Sequence, residues 1–207
     1  AHPSAWIKYL LGWNNPKTPV SGINSIGLSA SSPEAFYILR SPNFNSYEYF
    51  LIENRQAVGF DYALPEYNSK RGLLIYHVDE RKWNSGDNDD PSHYLVDVEE
   101  ADGTADWTQD DLALAPYQYG EDSDYFRGNT LTVFNDDCTS SPNSKSYTSQ
   151  LSGIKVSQIS ASSSLMTFVF GQDVVLIDDL SKVICFPNPV RDNGDVMFIK
   201  KSTQMSS

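Results

Sequence analysis

The residues of this 207-residue chain that could do chemistry are three histidines, two cysteines and a series of acidic loops. The histidines are His2, His77 and His93, and no two stand four apart. The sequence therefore contains no His-Glu-x-x-His helix, the arrangement that sets two imidazoles on one helical face with a glutamate as general base. Cys138 and Cys185 form no C-x-x-C pair. That excludes a thiolate zinc site and a disulfide-dense framework. The two are either one bridge formed in an oxidising compartment or two free, small buried residues. No phosphate-cradling glycine loop and no nucleophile elbow are present.

The acidic side chains are the more informative group. Asp87, Asp89 and Asp90 lie in one loop, Asp102, Asp106, Asp110 and Asp111 follow, and Glu121, Asp122 and Asp124 lie in another. Like charges packed this densely repel unless solvated or neutralised. A hard cation takes about six to eight oxygen ligands from such loops. With oxygen ligands only, calcium is the cation to expect over zinc. The candidate ligands are Asp87, Asp89 and Asp90 with Glu121, Asp122 and Asp124; the spacing is not that of an EF-hand, and plain solvated acidic loops are the alternative. Two further pairs follow from the period of two along a strand. Glu53 and Arg55 share a face and read as a structural ion pair. His77 and Asp79 share a face, where a carboxylate could hold the imidazole in one tautomer or complete a metal shell.

Something must position these groups. Hydrophobic residues make up 40% and aromatics 13% of the chain, a globular composition able to bury a core. Lys and Arg total 15 against 27 Asp and Glu, a net charge of −12. Nucleic acid needs clustered cations, so it is excluded as a partner. No apolar run approaches the roughly 18 residues of a membrane span. The opening residues 3–11 read as a short amphipathic helix, with Pro3 at the first helical position and Gly12 just past the end. Trp6, Ile7, Leu10 and Leu11 form its apolar face.

Beyond the helix, strand-like runs alternate with turn residues at 25–30, 35–40, 47–55, 72–78, 94–101, 131–134, 154–159 and 165–170. This regular spacing, with no second convincing helix, predicts a mainly β fold. The expected architecture is a jelly-roll-like antiparallel β-sandwich carrying a short N-terminal helix. The runs 50–52 and 73–75 are apolar on both faces and should be covered on both sides. The predicted organisation is a helix at 1–14, the sandwich at 15–172, a linker at 173–182 and the truncated start of a second β-module at 183–207. The long acidic stretch between Trp83 and Asn129 reads as functional or ion-tied.

Several segments carry a family resemblance. His2-Pro-Ser-Ala-Trp-Ile-Lys-Tyr-Leu-Leu-Gly-Trp13 resembles the segment following the catalytic helix in the immune inhibitor A family of secreted zinc metallopeptidases. Tyr49-Phe-Leu-Ile-Glu-Asn-Arg-Gln56 with Gly59-Phe-Asp61, Gly72-Leu-Leu-Ile-Tyr-His-Val-Asp79, Glu100-Ala-Asp-Gly103 and residues 120–126 resemble later family motifs, in the same order. The resemblance spans about residues 1–171. It implies that the zinc ligands and catalytic glutamate lie upstream of Ala1, so this chain is the C-terminal portion of a protease and has no catalytic residue of its own. It further implies a secreted parent, a catalytic half as partner, protein or peptide substrate, zinc in the parent and calcium in the acidic loops. Phe186-Pro-Asn-Pro-Val190 looks like the start of a C-terminal sorting or Ig-like module of secreted bacterial enzymes. The competing reading is a carbohydrate-binding or adhesive β-sandwich, suited by twelve Tyr and four Trp. A ligand-free structural β-domain is the third.

Overall fold

The computed structural model describes residues 2–28, 36–62, 71–83, 88–90, 92–103, 122–137 and 142–171. All of them belong to the unit Ala1–Val174. Asp87, Glu121, Cys138, Cys185 and the segments at 173–182 and 183–207 lie outside the described residues.

The fold is mainly β. Among the described residues one α-helix, α1 (Ala5–Leu10), precedes eight strands: β1 (Gly22–Gly27), β2 (Phe36–Leu39), β3 (Glu48–Arg55), β4 (Gly72–Asp79), β5 (Val96–Glu99), β6 (Phe134–Asn135), β7 (Lys155–Ser157) and β8 (Leu165–Phe170). Each of the eight strand-like runs in the sequence contains or overlaps one of them. They form two four-stranded antiparallel sheets, ordered β2-β3-β4-β5 and β1-β8-β7-β6. Sequential strands neighbour one another throughout both sheets, except where β1 lies beside β8.

Strands β3 and β4 run side by side over eight residues in the register Phe50↔His77, Ile52↔Ile75 and Asn54↔Leu73, and every residue of both is buried. The cause is cover on both faces. Phe50, Ile52, Leu73 and Ile75 face the other sheet, in one cluster with Ile26, Phe134, Val156, Met166 and Phe168. The alternate residues Tyr49, Leu51, Leu74, Tyr76 and Val78 cluster with Ala5 of α1, and Trp6 and Tyr9 pack against them. Period two thus divides one strand pair between two cores, which is why the apolar runs at 50–52 and 73–75 do not alternate with polar residues. Phe50 meets Phe134 edge-on across the sandwich at 5.1 Å, and Tyr37 meets Phe168 in the same way at 5.3 Å.

Helix α1 starts two residues later than the position of Pro3 suggested. Ser4 is the N-cap, its hydroxyl accepting from the Ile7 amide, so Pro3 precedes the cap. The end is as read. Gly12 sits at φ 64°, its amide donates to Tyr9 and the Trp13 amide to Lys8, a Schellman arrangement that needs a left-handed residue. The docked face differs from the expected one. Ala5 and Lys8 are buried, whereas Leu10 and Leu11 are exposed. Lys8 turns inward because a buried carboxylate waits beneath it. A second glycine is constrained by a close approach. Gly72, at φ 154°, opens β4 where a Cβ would stand 2.9 Å from the Phe126 carbonyl oxygen, the neighbour bridged to Leu73.

Candidate functional site

Both faces of the β2–β5 sheet bury charged groups, and each face assembles a different cluster. On the sandwich side the register Phe50↔His77 and His77↔Asp97 fixes the positions. Rings stack in a column from the core outward. Phe50 lies 4.3 Å from His77, His77 lies 4.1 Å from Tyr147 at 10° between planes, and Tyr147 lies 4.1 Å from His93. Tyr147 comes from the segment between β6 and β7. That segment is held by Asp136, whose carboxylate accepts from the Ser144 and Ser152 hydroxyls and from the amides of Ser152 and Gly153.

Carboxylates surround the column. His77 Nε2 is 3.1 Å from Glu48 and its Nδ1 is 3.3 Å from Glu99. The Tyr147 amide donates to Glu48 at 2.8 Å. Asp79 does not serve His77, despite sharing its strand face; it is bonded to His93 at 2.8 Å and to Arg81. The reason is register. Glu48 stands opposite Asp79 and Phe50 opposite His77, so the imidazole reaches diagonally to Glu48 and outward to Glu99.

These contacts set the protonation. Burial pushes the His77 imidazole down, but the bonds to Glu48 and Glu99 outweigh it and the net shift is upward. Burial, with Glu99 beside it, raises Asp97 to about 6. Burial also works against ionised Glu48 and Asp79. The bonds from His77 and the Tyr147 amide hold Glu48 below its usual range, and those from Arg81 and His93 do the same for Asp79. The Tyr147 hydroxyl is buried with no hydrogen-bond partner among the described residues, and burial followed by the nearby carboxylates holds it protonated. The cluster can take up protons near neutrality. A three-histidine metal centre is not what it forms, since a tyrosine ring separates His77 from His93.

On the opposite face lies an ion network. Glu53, fully buried, accepts from the Tyr76 hydroxyl at 2.6 Å and pairs with Arg55 at 3.3 Å and Lys8 at 3.8 Å. Arg55 also pairs with Asp61 at 2.9 Å and donates to the His2 carbonyl at 2.8 Å, while the His2 amide donates to Asp61. The expected Glu53–Arg55 pair is present, as part of a set that fastens the residues leading into α1. Burial lowers Lys8 despite Glu53. For Arg55 the neighbouring Glu53 and Asp61 outweigh burial and keep it charged.

Four of the six candidate calcium ligands fall within the described residues. Asp90 accepts from Ser92 and pairs with Lys82 at 3.5 Å. Asp122 pairs with Arg127. Asp124 is buried and Asp89 is exposed. Asp90 and Asp122 thus already hold cationic side chains. No three His, Cys, Asp or Glu side chains converge as metal ligands among the described residues. Asp87 and Glu121 lie outside them.

A third feature was not anticipated from sequence. Trp6, Leu10, Tyr47, Glu80 and Trp83 line an open cleft of about 270 Å³ beside α1. Tyr147, Glu48, Glu99 and Asp97 were likewise missed. A period-two reading of 47–55 and 94–101 would have placed Glu48, Asp97 and Glu99 on faces, but nothing local marks Tyr147, which lies in a Ser-rich loop.

No family model, no curated protein and no solved structure matches this chain.

Proposed function

We propose that this chain is the β-rich accessory region of a secreted, extracellular zinc metallopeptidase, which buttresses the catalytic half of its parent while the parent cleaves protein or peptide substrates. In this reading the zinc-binding helix belongs to parent sequence preceding Ala1. The observation that supports it is the anchoring of the first described residues. Backbone groups of His2 on both sides bond to buried Asp61 and Arg55, and Lys8 bonds to buried Glu53. A segment entering this region from a catalytic half would be held in one direction from its first residues onward. Calcium in the acidic loops belongs to the same reading. It would draw on Asp89 and the residues around it, and would compete with Lys82 for Asp90 and with Arg127 for Asp122. No helix among the described residues is long and apolar enough to cross a membrane.

The test compares this chain with the longer parent polypeptide on casein. The parent should carry zinc and cleave in a chelator-sensitive way, and this chain alone should not cleave. Chelator-sensitive cleavage by the chain alone, or a parent without zinc, overturns the reading. A second reading, a carbohydrate-binding sandwich, draws on one observation: Tyr47 and Trp83, which line the cleft beside α1, are 55% and 45% exposed. Retention on immobilised polysaccharide would favour it.

A further inference from the structure

The cleft beside α1 is built from three separate stretches of chain, two of which a backbone bond holds together. The Glu80 amide donates to the Tyr47 carbonyl at 3.0 Å, and the Trp83 amide donates to the Glu80 carbonyl at 3.1 Å. Trp6 joins from α1, with its ring centroid 6.0 Å from that of Trp83 and the planes tilted by 48°. The two indoles form a wedge, and Tyr47 and Leu10 complete its walls.

Among the described residues, Glu80 is the one charged residue lining the cleft. Its Oε1 accepts from the Tyr49 hydroxyl at 2.7 Å, which orients the carboxylate. The cations nearby in sequence are engaged elsewhere. Arg81 pairs with Asp79 and Glu48, and Lys82 pairs with Asp90. A negative charge beside three aromatic rings is the chemistry that attracts an organic cation, because ring faces carry negative potential. A cation seated in the wedge stands within about 6 Å of both indole centroids, the range over which that attraction acts. The same chemistry already operates next door, where the Arg40 guanidinium lies 4.5 Å from the centroid of the Tyr49 ring.

We propose that this cleft binds a quaternary ammonium head group. The choice among cations follows from hydrogen bonding. A primary ammonium must keep three donors satisfied, and the lining offers one carboxylate already shared with Tyr49, two indoles that only donate, and Tyr47. A quaternary ammonium has no donors to satisfy, so it enters an aromatic wedge at lower desolvation cost. The net charge of −12 favours the approach of cations. The site is separate from both buried clusters and does not depend on the parent being a peptidase.

The test is a titration of the full chain with tetramethylammonium, read by NMR at the Trp6 and Trp83 indole N–H signals, which are assigned with Trp6→Phe and Trp83→Phe. Saturable shifts of both signals are expected, with affinity on the order of millimolar, as for exposed cation–π sites. Choline should bind comparably, and its neutral carbon isostere 3,3-dimethylbutan-1-ol should bind at least tenfold more weakly. So should n-butylammonium. Glu80→Gln keeps an acceptor for the Tyr49 hydroxyl while removing the charge; it should melt like the parent chain and bind at least fivefold more weakly. Trp83→Phe should weaken binding with little effect on folding. Three results each overturn the proposal: no shift up to about 100 mM; equal binding of the neutral alcohol or of butylammonium; shifts produced by methyl β-glucoside and not by tetramethylammonium.

Discussion

The two faces of the β2–β5 sheet gather charged groups to different ends. On the helix side, Glu53, Arg55, Asp61 and Lys8 are matched cation to carboxylate, with the Tyr76 hydroxyl filling a remaining lone pair. On the sandwich side, Glu48, Asp79, Asp97 and Glu99 outnumber Arg81 and the two imidazoles near them. On the first face Glu53 and Asp61 keep the Arg55 guanidinium charged against its burial. The second meets its excess of carboxylate by binding protons, at Asp97 near 6 and at His77 above its usual value. Matched charge acts as a fixed tether for α1. Mismatched charge makes the hold on the Tyr147 segment depend on pH.

The largest expected effect breaks the tether. Arg55→Met leaves Glu53 and Asp61 buried without their main cation, a loss on the order of 3–5 kcal/mol for a broken buried network. Urea unfolding at pH 7 measures it, and a loss below about 1 kcal/mol would mean the network is not the tether described. Removing Tyr147 is next. Tyr147→Ala deletes a ring stacked between two imidazoles, and because the ring is only partly buried the expected loss is roughly 2–3 kcal/mol, below that of a fully buried aromatic. An unchanged denaturation midpoint would show that the column does not hold the segment.

The pH dependence follows from the signs. Asp97 binds a proton more readily folded than unfolded, so stability falls as pH rises from about 4 through 6. His77 is raised in the folded state, so its contribution is complete below about 6.5 and is lost as pH rises through its folded value. Glu48 and Asp79 are lowered, so theirs is present above about 4 and lost in acid. Stability should therefore peak in mild acid. Asp97→Asn should raise stability at pH 7 by roughly 2 kcal/mol and flatten the fall between pH 4 and 6. A variant as pH-dependent as the parent chain would reassign the proton to another group. The smallest effect concerns the acidic loops. Asp122→Ala should lower the melting temperature by a few degrees in chelator, through loss of the Arg127 pair, and should also weaken the further rise that millimolar calcium brings. A loss equal in chelator and in calcium would leave Asp122 a partner of Arg127 and not a ligand.

Much of this comparison could be read from sequence, because strands announce themselves by residue type and by turns at their ends. The sequence placed Glu53 beside Arg55, and their pair is present at 3.3 Å. It also placed 50–52 and 73–75 between two covers. What it could not supply were partners far along the chain. Glu48 and Tyr147 are 99 residues apart, and only the packing of the segment after β6 brings them together. Lys8 is the second failure. Hydrophobic periodicity aims Leu10 and Leu11 inward, but the buried Glu53 carboxylate selects Lys8 for that position and turns the leucines out. The exposed cleft was hidden for the related reason that Trp6, on the helix, and Trp83, at the head of the acidic stretch, lie far apart in the sequence.

The central proposal, that this region supports a catalytic half through its N-terminal tether, is tested most directly by zinc-dependent casein cleavage in the longer parent carrying Arg55→Met. The account predicts that cleavage by this variant is lost at a temperature several degrees below that of the unmodified parent, with zinc content unchanged before heating. It also predicts that this chain alone is inactive throughout. Identical inactivation curves for variant and parent, or chelator-sensitive cleavage by this chain alone, would contradict it.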